Sequence, residues 1–248
     1  MKYNSIVLYS GGIDSLITLE YVKQKLDKNT QPIFFNINSK YSNYEVNYVI
    51  DKNAIIDNSL DLGEIEQDDA YIPQRNILLA TLAVAKYSKT IYIGGSMSDR
   101  VSDNNEIIFS KLSPVLSEVD GCFIDIISPF WNVYKDDMVN WYCGSVKEPQ
   151  EKLIFDTFSC YTPSEFPTIQ TYSFNNSEIG KETHECLSCK ACFRKCCILY
   201  TAGIFVEFNN KDIISHYKKE CEDIKLTDRR MIGTLKYINE LERIQNGN

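Results

Sequence analysis

The sequence predicts an α/β fold with a mostly parallel sheet and helices on both faces. Three observations carry that expectation. Short apolar runs alternate with segments of helical period, a Ser-Gly-Gly turn follows the first apolar run, and the alternation stops near Glu148, where a loop-rich, cysteine-bearing stretch begins.

Each element follows from its own pattern. Ile6-Val7-Leu8-Tyr9 reads as the first buried strand. Ile13, Leu16, Ile17 and Tyr21 then recur at helical spacing, predicting a helix to about Lys25. Pro32 to Ile37 is a second strand, Tyr44 to Lys52 a helix, Ala54 to Ile56 a short strand, and Gly63 to Asp69 an acidic loop. Ile77 to Ala85 is apolar nearly all round, which predicts a deeply buried helix. Thr90 to Gly95 is a strand ending in glycines. Glu106 to Val119 is helical, with Pro114 expected to kink or end it. Cys122 to Ile127 is the next strand, and Tyr134 to Ser145 the next helix. The residues expected at the carboxyl ends of strands, where sites in such sheets lie, are Ser10, Asn36, Gly94 and Ser128. Beyond Glu148 come a loop-rich stretch, a helix from about Cys192 to Ala202, and closing helices over Asp212 to Glu222 and Leu226 to Glu242. The expected organisation is 1–147, 148–203 and 204–248.

Composition narrows the class. The chain of 248 residues carries 44% hydrophobic and 24% charged residues, ordinary for a globular protein that buries a core. No apolar stretch approaches a membrane span, and the first residues lead straight into a strand, so a cytoplasmic location is expected. The formal charge of −8 argues against binding nucleic acid by charge alone. Nine cysteines are many where disulfides do not persist, and five of them fall within Cys186 to Cys197. That clustering points to metal.

The turn Ser10-Gly11-Gly12-Ile13-Asp14-Ser15 has the composition of a phosphate cradle. Two glycines let the backbone turn tightly, backbone N–H groups and the helix dipole supply positive potential, and two serines add hydroxyls. Asp14 can cap the helix, orient a Mg²⁺, or do both. The pattern is neither a Walker loop nor G-x-G-x-x-G. It resembles the SGGxDS signature of the PP-loop, or N-type ATP pyrophosphatase, superfamily, whose members cleave ATP between the α- and β-phosphates to adenylate a substrate. That resemblance implies a Rossmann-like, adenine nucleotide alpha hydrolase-like fold, and ATP held by Leu8, Tyr9, Ser10, Gly11, Gly12, Ile13, Asp14, Ser15 and Leu16.

Two further stretches narrow the resemblance. Tyr71-Ile72-Pro73-Gln74-Arg75-Asn76 precedes the apolar helix, and Ser159-Cys160-Tyr161 precedes Cys186-x-x-Cys189-x-x-Cys192. In this order they resemble the 7-cyano-7-deazaguanine synthases. The resemblance implies an ATP-dependent carbon–nitrogen ligase taking 7-carboxy-7-deazaguanine and ammonia to the nitrile, with Mg²⁺ at the phosphates. It also implies a Zn²⁺ bound by Cys160, Cys186, Cys189 and Cys192, which would staple the C-terminal module. Arg75 carries a planar fork suited to phosphate or carboxylate, though a loop-to-helix junction has the same letters; with Asp14 it is a candidate catalytic residue. Lys135 stands near where the family places a lysine.

Departures and alternatives accompany this reading. Here 25 residues, Tyr161 to Glu185, separate the first expected ligand from the triple, where the family has a short loop. Asn36 to Tyr41 and Asp99 to Asp103 have drifted from the substrate-side motifs. Cys186, Cys189, Cys192 and Cys196 also follow the ferredoxin spacing C-x₂-C-x₂-C-x₃-C, which keeps an iron–sulfur sulfur transferase acting on tRNA, or a retargeted PP-loop protein, as alternatives. His184 is a spare ligand candidate. For the extension beyond Gly203 three roles stay open: covering the site, forming a homodimer, or binding another protein.

Overall fold

The apolar strand β1 (Ile6–Leu8), with Ile6 and Val7 fully buried, is the centre of the first sheet. It pairs in parallel with β2 (Gln31–Phe35) on one side and β4 (Thr90–Tyr92) on the other. β3 (Ile55–Asp57) lies outside β2, and β5 (Asp125–Ile127) outside β4, giving the all-parallel order β3-β2-β1-β4-β5. This computed structural model describes residues 2–99, 102–223 and 229–246, and the chain divides into two compact units, 1–133 and 134–248. The α/β, mostly parallel expectation is met.

Parallel strands require crossovers, and helices supply them: α1 (Ile13–Lys25), α2 (Ser42–Val49), α3 (Arg75–Lys86) and α4 (Glu106–Asp120). The core beside the sheet gathers Ile33, Ile91, Ile126 and Phe109 with Ala80, Ala83 and Val84 of α3. Those three are the only fully buried residues of α3, while Leu78 is exposed. The expected deep burial is therefore corrected: α3 covers one sheet face, and its other apolar side chains stop at partial burial. Pro114 neither ends nor breaks α4. Its flanking serines fix the helix against the sheet edge, where Ser113 Oγ accepts from Ile126 N–H at 3.1 Å and Ser117 Oγ from Ile124 N–H at 2.9 Å. Those two N–H groups belong to the outer strand and its approach, so the serines also cap the edge.

The second unit holds α5 (Lys135–Ser145), α6 (Pro149–Phe155), β6 (Thr168–Phe174), β7 (Ser177–Thr183), α7 (Lys190–Thr201), β8 (Phe205–Val206), α8 (Lys211–Asp223) and α9 (Arg229–Gln245). The expected start of the last helix at Leu226 lies outside the described residues. An antiparallel sheet of order β7-β6-β8 places a hairpin within the expected loop-rich stretch. The hairpin escapes a periodicity reading because its outer face, including Ile169, Thr171 and Glu182, mixes apolar and polar residues in water. Its turn is legible afterwards: Asn175 and Asn176 both take positive φ, 51° and 60°, as a two-residue hairpin loop demands. Phe193 of α7 centres the core, with ring centroids 4.6 Å from Tyr217, 5.2 Å from Phe208 and 5.8 Å from Tyr237. The residues beyond 203 thus complete this core. No helix among the described residues is long and apolar enough to cross a membrane.

Lys181 of β7 is buried and donates to Ile154 O at 2.7 Å. Burial, with the Lys195 charge adding to it, pulls its ammonium down to about 7 from the ordinary 10.5. Between those values the unfolded chain binds a proton that the folded one has released, so this residue's contribution makes stability rise with pH there. In urea titrations, the difference in stability between wild type and Lys181→Met should change by on the order of 3 kcal/mol from pH 7 to pH 10. A difference that stays constant over that range would exclude the buried ammonium as its source.

Candidate active site and metal centre

The strand order reverses direction between β1 and β4, and the turns following those strands meet there. A Cβ on Gly94 would lie 3.1 Å from the backbone of both Asp14 and Ser15, so only glycine permits this approach without displacement. Gly11, at φ +76°, needs glycine for its conformation, and a Cβ there would crowd Tyr48 of α2 at 3.2 Å. Hydroxyls pin the turn from inside: Ser15 Oγ donates to Gly12 O at 2.9 Å and accepts from Ser10 N–H at 3.2 Å, while Gly12 N–H reaches Ser10 Oγ at 3.3 Å. Gly12 is the N-cap of α1 and offers no side chain to it. Backbone N–H groups at a helix start with no side-chain cap are suited to an anion such as phosphate. Asp14 stands in that first turn rather than at the cap. Tyr9, Ile13 and Leu16 are buried in the core, so their side chains serve packing and only their backbone faces the turn.

Arg75 opens α3, and its Nη1 donates to Tyr41 Oη at 3.1 Å. Tyr41 is the N-cap of α2, the helix against which Gly11 packs, so α2 ties Arg75 to the phosphate turn. Asn76 lies within the first turn of α3, not at its N-cap. The cap comes from Asp103, which is buried and accepts from both Asn76 N–H and Nδ2 at 3.0 Å. Two carboxylates that no motif marks also belong here. Burial pushes the Glu45 carboxyl up to about 8, with Arg75 opposing and Glu66 reinforcing the shift. Glu66 Oε2 in turn accepts from Lys40 N–H at 2.8 Å. Only the i, i+4 spacing of Tyr41 and Glu45 on α2 could have signalled that pairing.

In the second unit, the sulfurs of Cys160, Cys186, Cys189 and Cys192 all lie within 4.8 Å of one another. The loop carrying the first ligand and the turn carrying the other three converge despite the hairpin between them. Leu187, at φ 49°, turns the Cys186-x-x-Cys189 segment. Cys189 is the N-cap of α7, and its Sγ accepts from Cys192 N–H at 3.4 Å, while Cys160 Sγ accepts from Cys186 N–H at 3.3 Å. Hydrogen bonding among the four sulfurs splits their acidities. The Cys160 and Cys192 thiols are driven up as donors, Cys186 is driven far down, and Cys189 falls to about 6. Four sulfurs this close cannot all be thiolates without a cation among them. The set can hold a metal: tetrahedral Zn–S bonds of about 2.3 Å separate adjacent sulfurs by roughly 3.8 Å. Cys196 lies elsewhere, buried in the core, where it bonds with Tyr237. His184 pairs with Ser164 O at 2.8 Å and is not among the four.

A buried ion pair holds those ligand segments together. Lys195 Nζ lies 2.7 Å from Glu185 Oε2 and 2.9 Å from Thr157 O, and Glu185 Oε1 accepts from Ser159 N–H at 2.7 Å. Both side chains are almost wholly excluded from water. Both ends grip the segment before Cys160, Lys195 through Thr157 O and Glu185, the residue before Cys186, through Ser159 N–H.

A parallel sheet with a glycine turn at its switch point, in a chain that also carries a four-cysteine cluster, defines an α/β protein with a cluster able to hold a metal. The chain belongs to the family described as Queuosine biosynthesis protein QueC, whose model matches residues 35–198. That span contains Arg75, Asn76 and all four clustered cysteines; the phosphate turn precedes it. No curated protein sequence matches the chain. Among solved structures it is similar to a predicted subunit of tRNA methyltransferase from Methanocaldococcus jannaschii, at 18% identity over 55% of this chain and 72% of that one, with a TM-score of 0.39. It is also similar to the U34-tRNA thiolase NcsA from Methanococcus maripaludis with its [4Fe-4S] cluster, at 12% identity over 100% of this chain and 73% of that one, with a TM-score of 0.39.

Removing one half of a buried ion pair strands the other charge. Lys195→Met is expected to lose about 3–5 kcal/mol of stability in urea titrations. The double variant Lys195→Met with Glu185→Gln should recover part of that loss, since no bare carboxylate remains. An unchanged midpoint in the single variant would show that the pair does not hold these segments.

Proposed function

We propose that this protein is an ATP-dependent carbon–nitrogen ligase converting 7-carboxy-7-deazaguanine and ammonia to 7-cyano-7-deazaguanine. The observation that carries this reading is the family match across residues 35–198. The turn Ser10 to Ser15 supports ATP as co-substrate, because its glycines and first-turn N–H groups suit phosphate. The charge of −8 supports small-molecule substrates over nucleic acid.

A carboxylate is a poor electrophile. In the proposed reaction its oxygen attacks the α-phosphorus of ATP, and pyrophosphate leaves. Ammonia then forms the C–N bond while AMP departs, giving the amide. The amide oxygen then attacks the α-phosphorus of a second ATP with release of pyrophosphate, and loss of AMP and two protons leaves the nitrile. The turn's backbone donors stabilise charge on the transferring phosphate, and Arg75 pairs with the substrate carboxylate or pyrophosphate. Asp14 would hold the Mg²⁺ that neutralises the phosphates. Cys160, Cys186, Cys189 and Cys192 would hold Zn²⁺, which supplies structural closure with no ligand position left for catalysis. Their closeness supports a single ion, since a four-iron cluster places a separate iron behind each thiolate and spreads the sulfurs wider.

Two experiments test this reading. Incubation with ATP, Mg²⁺, ammonium and 7-carboxy-7-deazaguanine should yield the amide and then the nitrile by mass spectrometry, with AMP and pyrophosphate released. Asp14→Asn should abolish turnover with the folded spectrum unchanged, and Arg75→Ala should cost about 2–5 kcal/mol in kcat/KM. ADP as the product would discard the superfamily reaction, and ATP cleavage without amide or nitrile would transfer the scaffold to another carboxylate. Separately, elemental analysis after anaerobic purification should find about one zinc per chain. Cys160→Ser should lose it and Cys196→Ser retain it; iron with visible absorbance would favour the ferredoxin ligand set.

A further inference from the structure

The outer edge of the first sheet carries an apolar surface that the proposed chemistry does not use. Ile107, Val115 and Val119 of α4 and Phe123 of the following loop are 66%, 59%, 76% and 79% exposed. Phe123 also lines a groove of about 820 Å³ between α4 and β5, walled by Pro114, Ile127, Trp131 and three serines of α4, with Phe109 beneath. The Phe109 and Trp131 rings stack at 6.1 Å, which gives the groove a fixed apolar floor. Exposed apolar side chains gathered at one end of a groove with an aromatic floor mark a candidate interaction surface.

Its chemistry selects the occupant. The outward N–H groups of Ile124 and Ile126 are already taken by Ser117 and Ser113, so a partner cannot add a strand through them. What remains is a groove that accepts the apolar stripe of a helix. The carboxylates of Glu106, Glu118 and Asp125 line that groove. α4 itself carries Glu106, Glu118 and Asp120 against Lys111 alone, and Asp120 is already paired with Lys89. Burial pushes the Asp125 carboxyl up, so a cation placed beside it would be favoured. This charge repels anionic lipid and nucleic acid. It also disfavours a second copy, which would bring the same carboxylates face to face in a chain of net charge −8.

We propose that the α4–β5 groove docks a basic amphipathic helix of a partner protein, with leucine-like side chains in the groove and lysines or arginines against Glu106, Glu118 and Asp125. The assignment is independent of the catalytic reading, because no residue of the phosphate turn or cysteine centre takes part.

The test uses the full chain and a fluorescein-labelled helical model peptide with leucines at i, i+3, i+4 and i+7 and lysines elsewhere. A second peptide keeps the leucines and replaces every lysine with glutamate. In fluorescence anisotropy the lysine peptide should bind at least about tenfold more tightly than the glutamate peptide. Val119→Asp combined with Phe123→Asp should weaken the lysine peptide by about tenfold or more. Both side chains are largely exposed, so the fold should persist, and circular dichroism checks that it does. Glu118→Lys should weaken binding similarly, whereas Asp51→Lys, the same charge change beside β3 at the opposite sheet edge, should leave it within about twofold. Equal binding of both peptides, no binding of either, or insensitivity to the Val119/Phe123 variant overturns the proposal. A dimer in sedimentation that Val119→Asp dissociates would likewise overturn it, assigning the face to self-association.

Discussion

Four sulfur atoms held within 4.8 Å of one another set the constraint on which the second unit depends. Thiolates at that spacing repel strongly, and thiols there can only share protons, so the cluster is comfortable only around a cation. Convergence requires two segments far apart in sequence to meet. The residues before Cys160 and the turn from Cys186 to Cys192 are joined by the buried Lys195–Glu185 pair and by N–H groups aimed at sulfur. The pair is a poor source of net stability, because two ions have been taken from water. Its value is geometric. Each charge has one partner and fixed backbone acceptors or donors, so the two ligand segments have one way to sit.

The first unit is governed by a different constraint, close approach of backbone to backbone. Gly94 lets the turn after β4 touch the start of α1, and Gly11 lets the phosphate turn rest on α2. The site at the switch point is therefore built from chain geometry more than from side chains. Side chains enter around it: Arg75 through Tyr41, and Asn76 through Asp103. Asp103 explains why a motif that appears as two adjacent letters, Arg75-Asn76, needs a partner 27 residues later. With its first turn capped across the fold, α3 can begin at Arg75 even though Gln74 before it holds a left-handed φ of 58°. The same unit guards its open edge with serine hydroxyls from α4, which leaves the adjoining groove for side-chain contact only.

Much of this was legible from the chain. Alternation of apolar runs and helical periods specified a parallel sheet, because each pattern is local and the inner strands β1 and β2 are buried almost throughout. The cysteine cluster was legible for a related reason: metal-holding chemistry restricts residue type and spacing within a few positions. The hairpin β6–β7 was not, since its outer face lies in water and has no hydrophobic alternation to betray it. Nor was the partial burial of α3, whose apolar letters record composition and not which neighbours cover them.

The sequence by itself thus determined the elements of the parallel sheet, the order of the motifs, and the cysteines able to gather around a metal. Only the tertiary structure decided which distant residues complete each site. Cys160 reaches the triple across 25 intervening residues, Cys196 turns into the core toward Tyr237, and Glu45 feels the charges of both Arg75 and Glu66. The physical reason is one of range. Strand and helix patterns are set by backbone geometry over a few residues, whereas the environment of a thiol or carboxylate is set by whatever the fold brings within a few ångströms of it, however far away in the chain.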